Sequence, residues 1–282
     1  MAIVNPGYRG IAVIGGTNVR FASADIAAKQ EVQADDLIMG DWDRDAWVYG
    51  KIEVGGSISG PVTETFASLD GVFGWACTRT APCGTLGTDD VLLYYYCDSD
   101  TGGRSRNFTG MKVNSMNFSC TAGDIAQFSI DVMGTAAGAW ADTSPPHVTT
   151  SEKLITWDKV SVTLPGTYGA LNYQSFSFDI ANNLEAAYTL SQDNLFPVDI
   201  VPGLRSISGS LTVYNAPDFN GADAWDDYLA SDTDSITFNI GDLSVTMKAV
   251  FHRVQPASAT GLITSTVAFT GVGHQTGLPW EA

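Results

Sequence analysis

Histidine, cysteine and clustered aspartate are the residues of this chain whose types could do chemistry, and their spacing decides little of it. His147, His252 and His274 stand far apart, and no Gly-x-Ser-x-Gly elbow or phosphate-binding glycine loop accompanies them. The four cysteines, Cys77, Cys83, Cys97 and Cys120, contain no Cys-x-x-Cys pair, so the spacing does not fit a zinc site. They read as free thiols of a reducing compartment, with a Cys77–Cys83 bridge as the alternative. Asp98-x-Asp100 and Asp232-x-Asp234 begin like calcium loops, but Thr109 and Leu243 occupy the twelfth position, where such a loop needs glutamate. Solvated turn acids are the better reading. Asn107-Phe-Thr109 and Asn117-Phe-Ser119 fit the glycosylation pattern without any secretory leader to place them on that route. Seven Trp and ten Tyr are scattered through the chain, a distribution that favours packing over sugar stacking. The expectation is no catalytic residue, no cofactor and no metal.

Bulk properties narrow the classes further. The 282 residues carry 31 acids against 14 bases, a net charge of −17. Capture of nucleic acid or an anionic membrane needs clustered Lys and Arg, and none is present. The charge serves solubility, or lets DNA pass without sticking. Only 16% of residues are charged, below the roughly 25% of ordinary soluble proteins. That leaves a neutral polar surface of the kind that often meets other protein. No apolar run approaches the ~18 residues of a spanning helix.

The elements that must position anything functional are strands. Val19–Val32, Lys51–Ser59, Val91–Cys97, Met111–Cys120 and Ile125–Val132 alternate or run apolar. Ile155–Leu164, Gln174–Ile180, Ser235–Asn239 and Leu243–Phe251 do the same later, the last two forming a hairpin turned at Gly241-Asp242. Gly55-Gly56 predicts a bulge or a close backbone approach. Phe66–Ala76 and Phe219–Ala230 have helical spacing. Two long loops, Asp35–Trp47 and Tyr188–Pro202, join strands of comparable position.

Segments recur in order. Gly50-Lys-Ile-Glu-Val-Gly-Gly-Ser-Ile-Ser-Gly60 returns 153 residues later as Gly203-Leu-Arg-Ser-Ile-Ser-Gly-Ser-Leu-Thr-Val213. Ala24-Asp-Ile-Ala-Ala-Lys-Gln-Glu31 returns, 154 residues on, as Phe178-Asp-Ile-Ala-Asn-Asn-Leu-Glu185. Phe66, Asp70 and Trp75 meet Phe219, Asp223 and Tyr228, and runs ending near Gly134 and Gly271 follow. This predicts a tandem duplication: a first domain over 1–134 with an N-terminal arm, a stiff small-residue linker over 135–154, and a second domain over 155–282 with a tail. The fold class expected is mainly β, two antiparallel β-sandwich domains, each with a flanking short helix.

Two stretches resemble a known family. Ser-Phe-Ser-Phe-Asp-Ile-Ala-Asn-Asn-Leu-Glu185, a loop, then Pro202-Gly-Leu-Arg-Ser-Ile-Ser-Gly-Ser-Leu-Thr-Val213, resembles the tail tube (major tail) proteins of long-tailed bacteriophages, in the subset with two tube domains per chain. Phe108-Thr-Gly-Met-Lys-Val-Asn-Ser-Met-Asn-Phe118 with Val132-Met-Gly134 is similar to a second signature of that group. The resemblance implies a structural virion protein that assembles in the host cytoplasm. Its rings stack into a tail tube, with one sheet of each domain lining a lumen for double-stranded DNA, which passes without specific binding. Its partners would be other copies of itself and other tail proteins, with no membrane. Two domains per chain imply trimeric rings with pseudo-sixfold symmetry. The inner sheet is expected from Val19–Val32 with Lys51–Ser59 and from Gln174–Glu185 with Leu204–Val213, its inward residues small, polar or acidic. Trp42, Trp47, Leu195 and Phe196 anchor the two long loops and are the candidates for contacts between subunits. The rival class is a carbohydrate-binding or adhesin-like β-sandwich.

Overall fold

The computed structural model describes residues 10–34, 47–64, 79–80, 85–96, 103–142, 153–164, 172–190, 195–214, 234–256 and 264–271. Its strands in the first half are β1 Gly10–Ile14, β2 Thr17–Arg20, β3 Ser23–Ala24, β4 Ala27–Ala34, β5 Trp47–Pro61, β6 Arg79–Thr80, β7 Thr85–Leu86, β8 Asp89–Tyr96, β9 Gly103–Thr121, β10 Gln127–Gly134, β11 Ala136–Ala137 and β12 Ala141–Asp142. Those of the second are β13 Val160–Thr163, β14 Asn172–Ala181, β15 Leu184–Ala187, β16 Asp199–Pro202, β17 Ser206–Tyr214, β18 Asp234–Ile240, β19 Leu243–Pro256 and β20 Thr264–Gly271. The fold is mainly β and antiparallel, as expected. Helical structure among the described residues is a 3-10 turn at Trp157–Lys159 and the single helical residue Glu64. The two expected helices, Phe66–Ala76 and Phe219–Ala230, lie outside the described residues.

A 16-stranded sheet runs through both halves of the chain in the order β13-β18-β19-β20-β17-β14-β9-β10-β5-β3, with β1 paired to β8 and β8 to β9. The first half therefore reads β1-β8-β9-β10-β5-β3 and the second β13-β18-β19-β20-β17-β14: one strand order, used twice. The two meet where β14 pairs β9, from Ser175 opposite Thr121 to Ala181 opposite Ser115.

Alternation explains both faces of the joined sheet. Strand side chains point to opposite faces with period two. One row reads Gly60, Phe128, Phe118, Phe178, Gly209, Phe269 and Phe251 across seven strands. Phe118 and Phe178 stack with ring centroids 5.4 Å apart, and Phe178 meets Phe238 at 4.8 Å. Phe118, Phe178, Phe238 and Phe269 are fully buried in one hydrophobic cluster that takes residues from both halves. Burying such rings supplies the driving force for joining the halves, at about 25 cal/mol per Å² of apolar surface. Gly209 has no side chain because one cannot fit there: a Cβ would lie 2.3 Å from the Phe269 ring and 2.5 Å from the Ser177 carbonyl oxygen.

Local departures from the sequence reading have physical causes. Val19–Val32 is not one strand: it breaks after Arg20 and again between β3 and β4, where the exposed Asp25 side chain accepts hydrogen bonds from the Ser57 amide and hydroxyl. Gly55-Gly56 is the expected close approach, since a Cβ on Gly56 would lie 2.7 Å from Asp25 O and Ile26 Cα. Trp47 opens β5 and is no longer loop, and Asp199–Pro202 of the second loop is strand, paired to β15. Ala136–Ala137 and Ala141–Asp142, in the expected linker, pair with β9.

Candidate functional site: a hydroxyl-lined sheet face

The face opposite the phenylalanine row is polar from one half to the other. Its central row is Ser23, Ser59, Ser129, Asn117, Asp179, Ser208 and Thr270, each opposite the next on adjoining strands. The flanking rows read Gln127, Ser119, Ser177, Ser210 and Ala268, and Ser57, Asp131, Ser115, Ala181 and Ser206. All are exposed or half-buried. No Lys or Arg stands in these three rows. Hydroxyls pair across strands, Ser177 with Ser210 at 3.2 Å and Ser115 donating to Asp131 at 2.7 Å.

The charge on this face is negative and small. Burial, and then the neighbouring Asp131 charge, push the Asp179 carboxyl above its ordinary range. The Asp25 carboxyl at the rim is held below its ordinary range by the Ser57 amide, then the Ser57 hydroxyl. Among the described residues, no group of three or more His, Cys, Asp or Glu could hold a metal ion. The surface can offer weak, interchangeable hydrogen bonds and a mild repulsion to anions, and it lacks the cations that would retain a phosphate backbone.

The strands expected to line an inner sheet supply this face: β3, β5, β14 and β17 do, and β9, β10 and β20 join them. The loop candidates fare differently. Trp42 lies outside the described residues, and Trp47 pairs Ala34 at the start of β5. Leu195 and Phe196 reach the other half of their own chain. The Leu195 carbonyl accepts from the Ile52 amide at 2.8 Å, and Phe196 packs on the core. Beside them Tyr188 donates to Ile52 O at 3.2 Å. Thus hairpin β15–β16 lies over β5 of the first half.

Sequence reasoning missed what fastens that hairpin. Lys112 in β9 is buried, and its Nζ donates to Asp199 Oδ1 at 2.9 Å and to Ile200 O at 2.5 Å. The signal was Lys112 as the one charged residue of the run Met111–Cys120. Of the other candidates, Asn117 spends its amide on Phe178 O at 3.2 Å. Cys120 is a buried free thiol whose pKa burial raises. His252 pairs Ala268 in β19. Cys77, Cys83, Cys97, Asp98, Asp100, Asp232, His147 and His274 lie outside the described residues.

No curated protein matches the sequence. The family model described as phage tail tube protein matches residues 6–271, nearly the whole chain. An all-antiparallel sheet with one apolar and one cation-poor polar face agrees with that match, and the chain belongs to the phage tail tube protein family.

Proposed function

We propose that this chain forms the wall of a DNA-conducting tail tube, three copies to a ring, with rings stacked along the tail. The observation that carries the reading is the polar face shared by both halves. A conduit for DNA must wet the duplex without binding it, and rows of serine with a few carboxylates meet that requirement, whereas each Lys or Arg would hold a phosphate. The order β1-β8-β9-β10-β5-β3 and its copy β13-β18-β19-β20-β17-β14 support a duplicated tube domain. Closure of a barrel depends on the number and stagger of its strands, not on the number of chains. Three chains with two such units offer six positions around the bore. The protein acts as a structural component without catalysis, and its assembly takes place in the host cytoplasm.

Electron microscopy of the purified full chain tests this. The expected result is hollow tubes whose reconstruction, refined without imposed sixfold symmetry, shows three chains per ring and the Ser129–Asp179 face toward the bore. Six chains per ring, with one half pointing outward, overturns the three-chain reading. Glycan-binding monomers that form no tubes overturn the tube.

A further inference from the structure

Among the described residues, the two edges that match the seam inside the chain have no strand partner. We propose that the seam between chains repeats the seam within the chain, strand for strand and in the same register. This rests on the tube reading above and names the surfaces by which one copy meets the next.

The internal seam joins β14 to β9. Its counterparts by strand order are β3 with the turn after it, and the C-terminal half of β19. Among the described residues, β3 pairs only β5. Residues 250–256 of β19 pair β20 on one side and no described strand on the other, because β18 stops at the Ala249 pair. An unpaired edge is a row of unspent N–H and C=O groups that accepts another strand. A head-to-tail contact of two different edges generates a ring when its rotation closes.

The register follows from the copies. Asp179-Ile180-Ala181 corresponds to Asp25-Ile26-Ala27. Strands β10 and β20 end on Gly134 and Gly271. On that alignment Ile130 opposite Met116 corresponds to Val267 opposite Val254. Bulges in β9 near Ser115 and in β19 near Arg253 fall within a residue of each other on it. Inside the chain Ile180 faces Met116 and Asp179 faces Asn117. Between chains, Ile26 therefore faces Val254 and Asp25 faces Gln255.

Two further features fit an incoming copy. A cavity of about 700 Å³, lined by Phe21, Ala24, Tyr95, Arg104 and Trp140, opens beside the β3 edge. There Ala24 stands where the second half has Phe178, a ring packed on Phe118 across the internal seam. The hairpin β4–β5 corresponds to β15–β16, which lies on the first half. It presents Val32 and Tyr49, 58% and 50% exposed, as a cross-strand pair. The same displacement carries this apolar pair onto the second half of the neighbouring copy. At the Lys112 position that copy has Val250, so an ion pair inside the chain is replaced by an apolar contact between chains.

Cysteine cross-linking reads the register directly. The full chain carrying Asp25→Cys and Gln255→Cys is concentrated, oxidised and run on a non-reducing gel beside three controls. These are the parent chain with its native cysteines, the in-chain pair Asn117→Cys with Asp179→Cys, and the shifted pair Asp25→Cys with Pro256→Cys. The expected result is an in-chain bond in the monomer of the Asn117/Asp179 control, covalent trimers from the Asp25/Gln255 variant, and neither parent nor shifted pair cross-linking. A ladder running past three chains supports the seam and overturns the three-chain ring. Tubes without cross-links overturn the seam and leave the tube reading standing. Cross-links from the shifted pair overturn the register. Should the cysteine variant fail to fold, hydrogen exchange on the unmodified chain decides. Amides of residues 24–27 and 250–255 must gain at least tenfold protection on assembly, and no gain there overturns the seam.

Discussion

Replacing Lys112 with methionine should loosen one hairpin and spare the rest of the sheet. The Lys112 side chain is 5% exposed and its partner Asp199 is 59% exposed. Methionine keeps most of the stem volume, so the cavity cost is small. Desolvation of the ammonium is relieved, which offsets part of the loss. What remains is the Ile200 carbonyl, buried and deprived of its donor, at about 1–3 kcal/mol. The ion pair itself adds under about 1 kcal/mol, because water already screens Asp199. The net is about 1–2 kcal/mol, a factor of roughly 5–30 in the opening equilibrium. Native-state hydrogen exchange reads local opening residue by residue. The Val198 amide, which donates to Ala187 O across the hairpin, should exchange about 5–30 times faster, while amides of the β17–β20 ladder keep their rates. Acid adds a second readout. The Asp199 carboxyl is held below its ordinary value, first by Lys112 and then by the Ile200 amide. A depressed carboxyl contributes stability that is complete above its unfolded pKa of about 4 and is lost as pH falls through the folded value. The hairpin should therefore loosen only in acid in the parent, and that step should shrink in Lys112→Met. Uniform acceleration of every amide, or none in the hairpin, refutes the reasoning.

Phe178→Ala should cost about 3–5 kcal/mol by denaturant unfolding, because its ring is fully buried at the seam between halves; a cost below about 1 kcal/mol would show that the seam is not packed as described. The Tyr173 hydroxyl is buried without a hydrogen-bond partner among the described residues, and burial pushes its pKa up to about 12. Tyr173→Phe should therefore be neutral or stabilising by up to about 1–2 kcal/mol, and a clear drop in melting temperature would reveal a missed partner. Asp179 has its carboxyl pKa raised by burial and then by Asp131, so ionisation costs stability as pH rises from the unfolded value of about 4 through the folded one. Asp179→Asn should then melt higher than the parent at pH 7 and level with it below about pH 3.5; an equal gap at both pH values would exclude ionisation as the cause.

Strand content was legible wherever one face of a strand meets core and the other meets solvent. Ser175 to Ile180 alternates without a break, and the structure buries Phe176, Phe178 and Ile180 while Ser177 and Asp179 face out. The same rule misled in β9. The bulge between Ser115 and Val113 shifts the parity, so Met111, Lys112 and Val113 are all buried in sequence. Asn114, left in the bulge, gives its carbonyl to the Asn182 amide and its side-chain oxygen to Leu184 N–H. A one-residue slip moves every later side chain to the other face, and no local pattern announces it.

The polar face was legible only in outline, because it belongs to neighbours far apart in sequence. Ser129, Asn117 and Asp179 look like unrelated polar residues until β10, β9 and β14 lie side by side. The repeat in the sequence pointed to two similar units, but not to the edge by which they join. That edge requires two strands from different halves to carry complementary open ladders. It also requires both halves to keep those ladders at equivalent positions, or a third unit could not join as the second does. A decorating domain would be free to lose its edge to a helix or a proline. Here, among the described residues, β19 has no partner on the side away from β20 from Val250 to Pro256, and β3 pairs β5 alone, so both outer seams preserve what the middle has already used. A chain that stopped at two units would gain by covering such edges, since exposed edges invite aggregation. Their retention at both ends is what a chain built for continued addition of units requires.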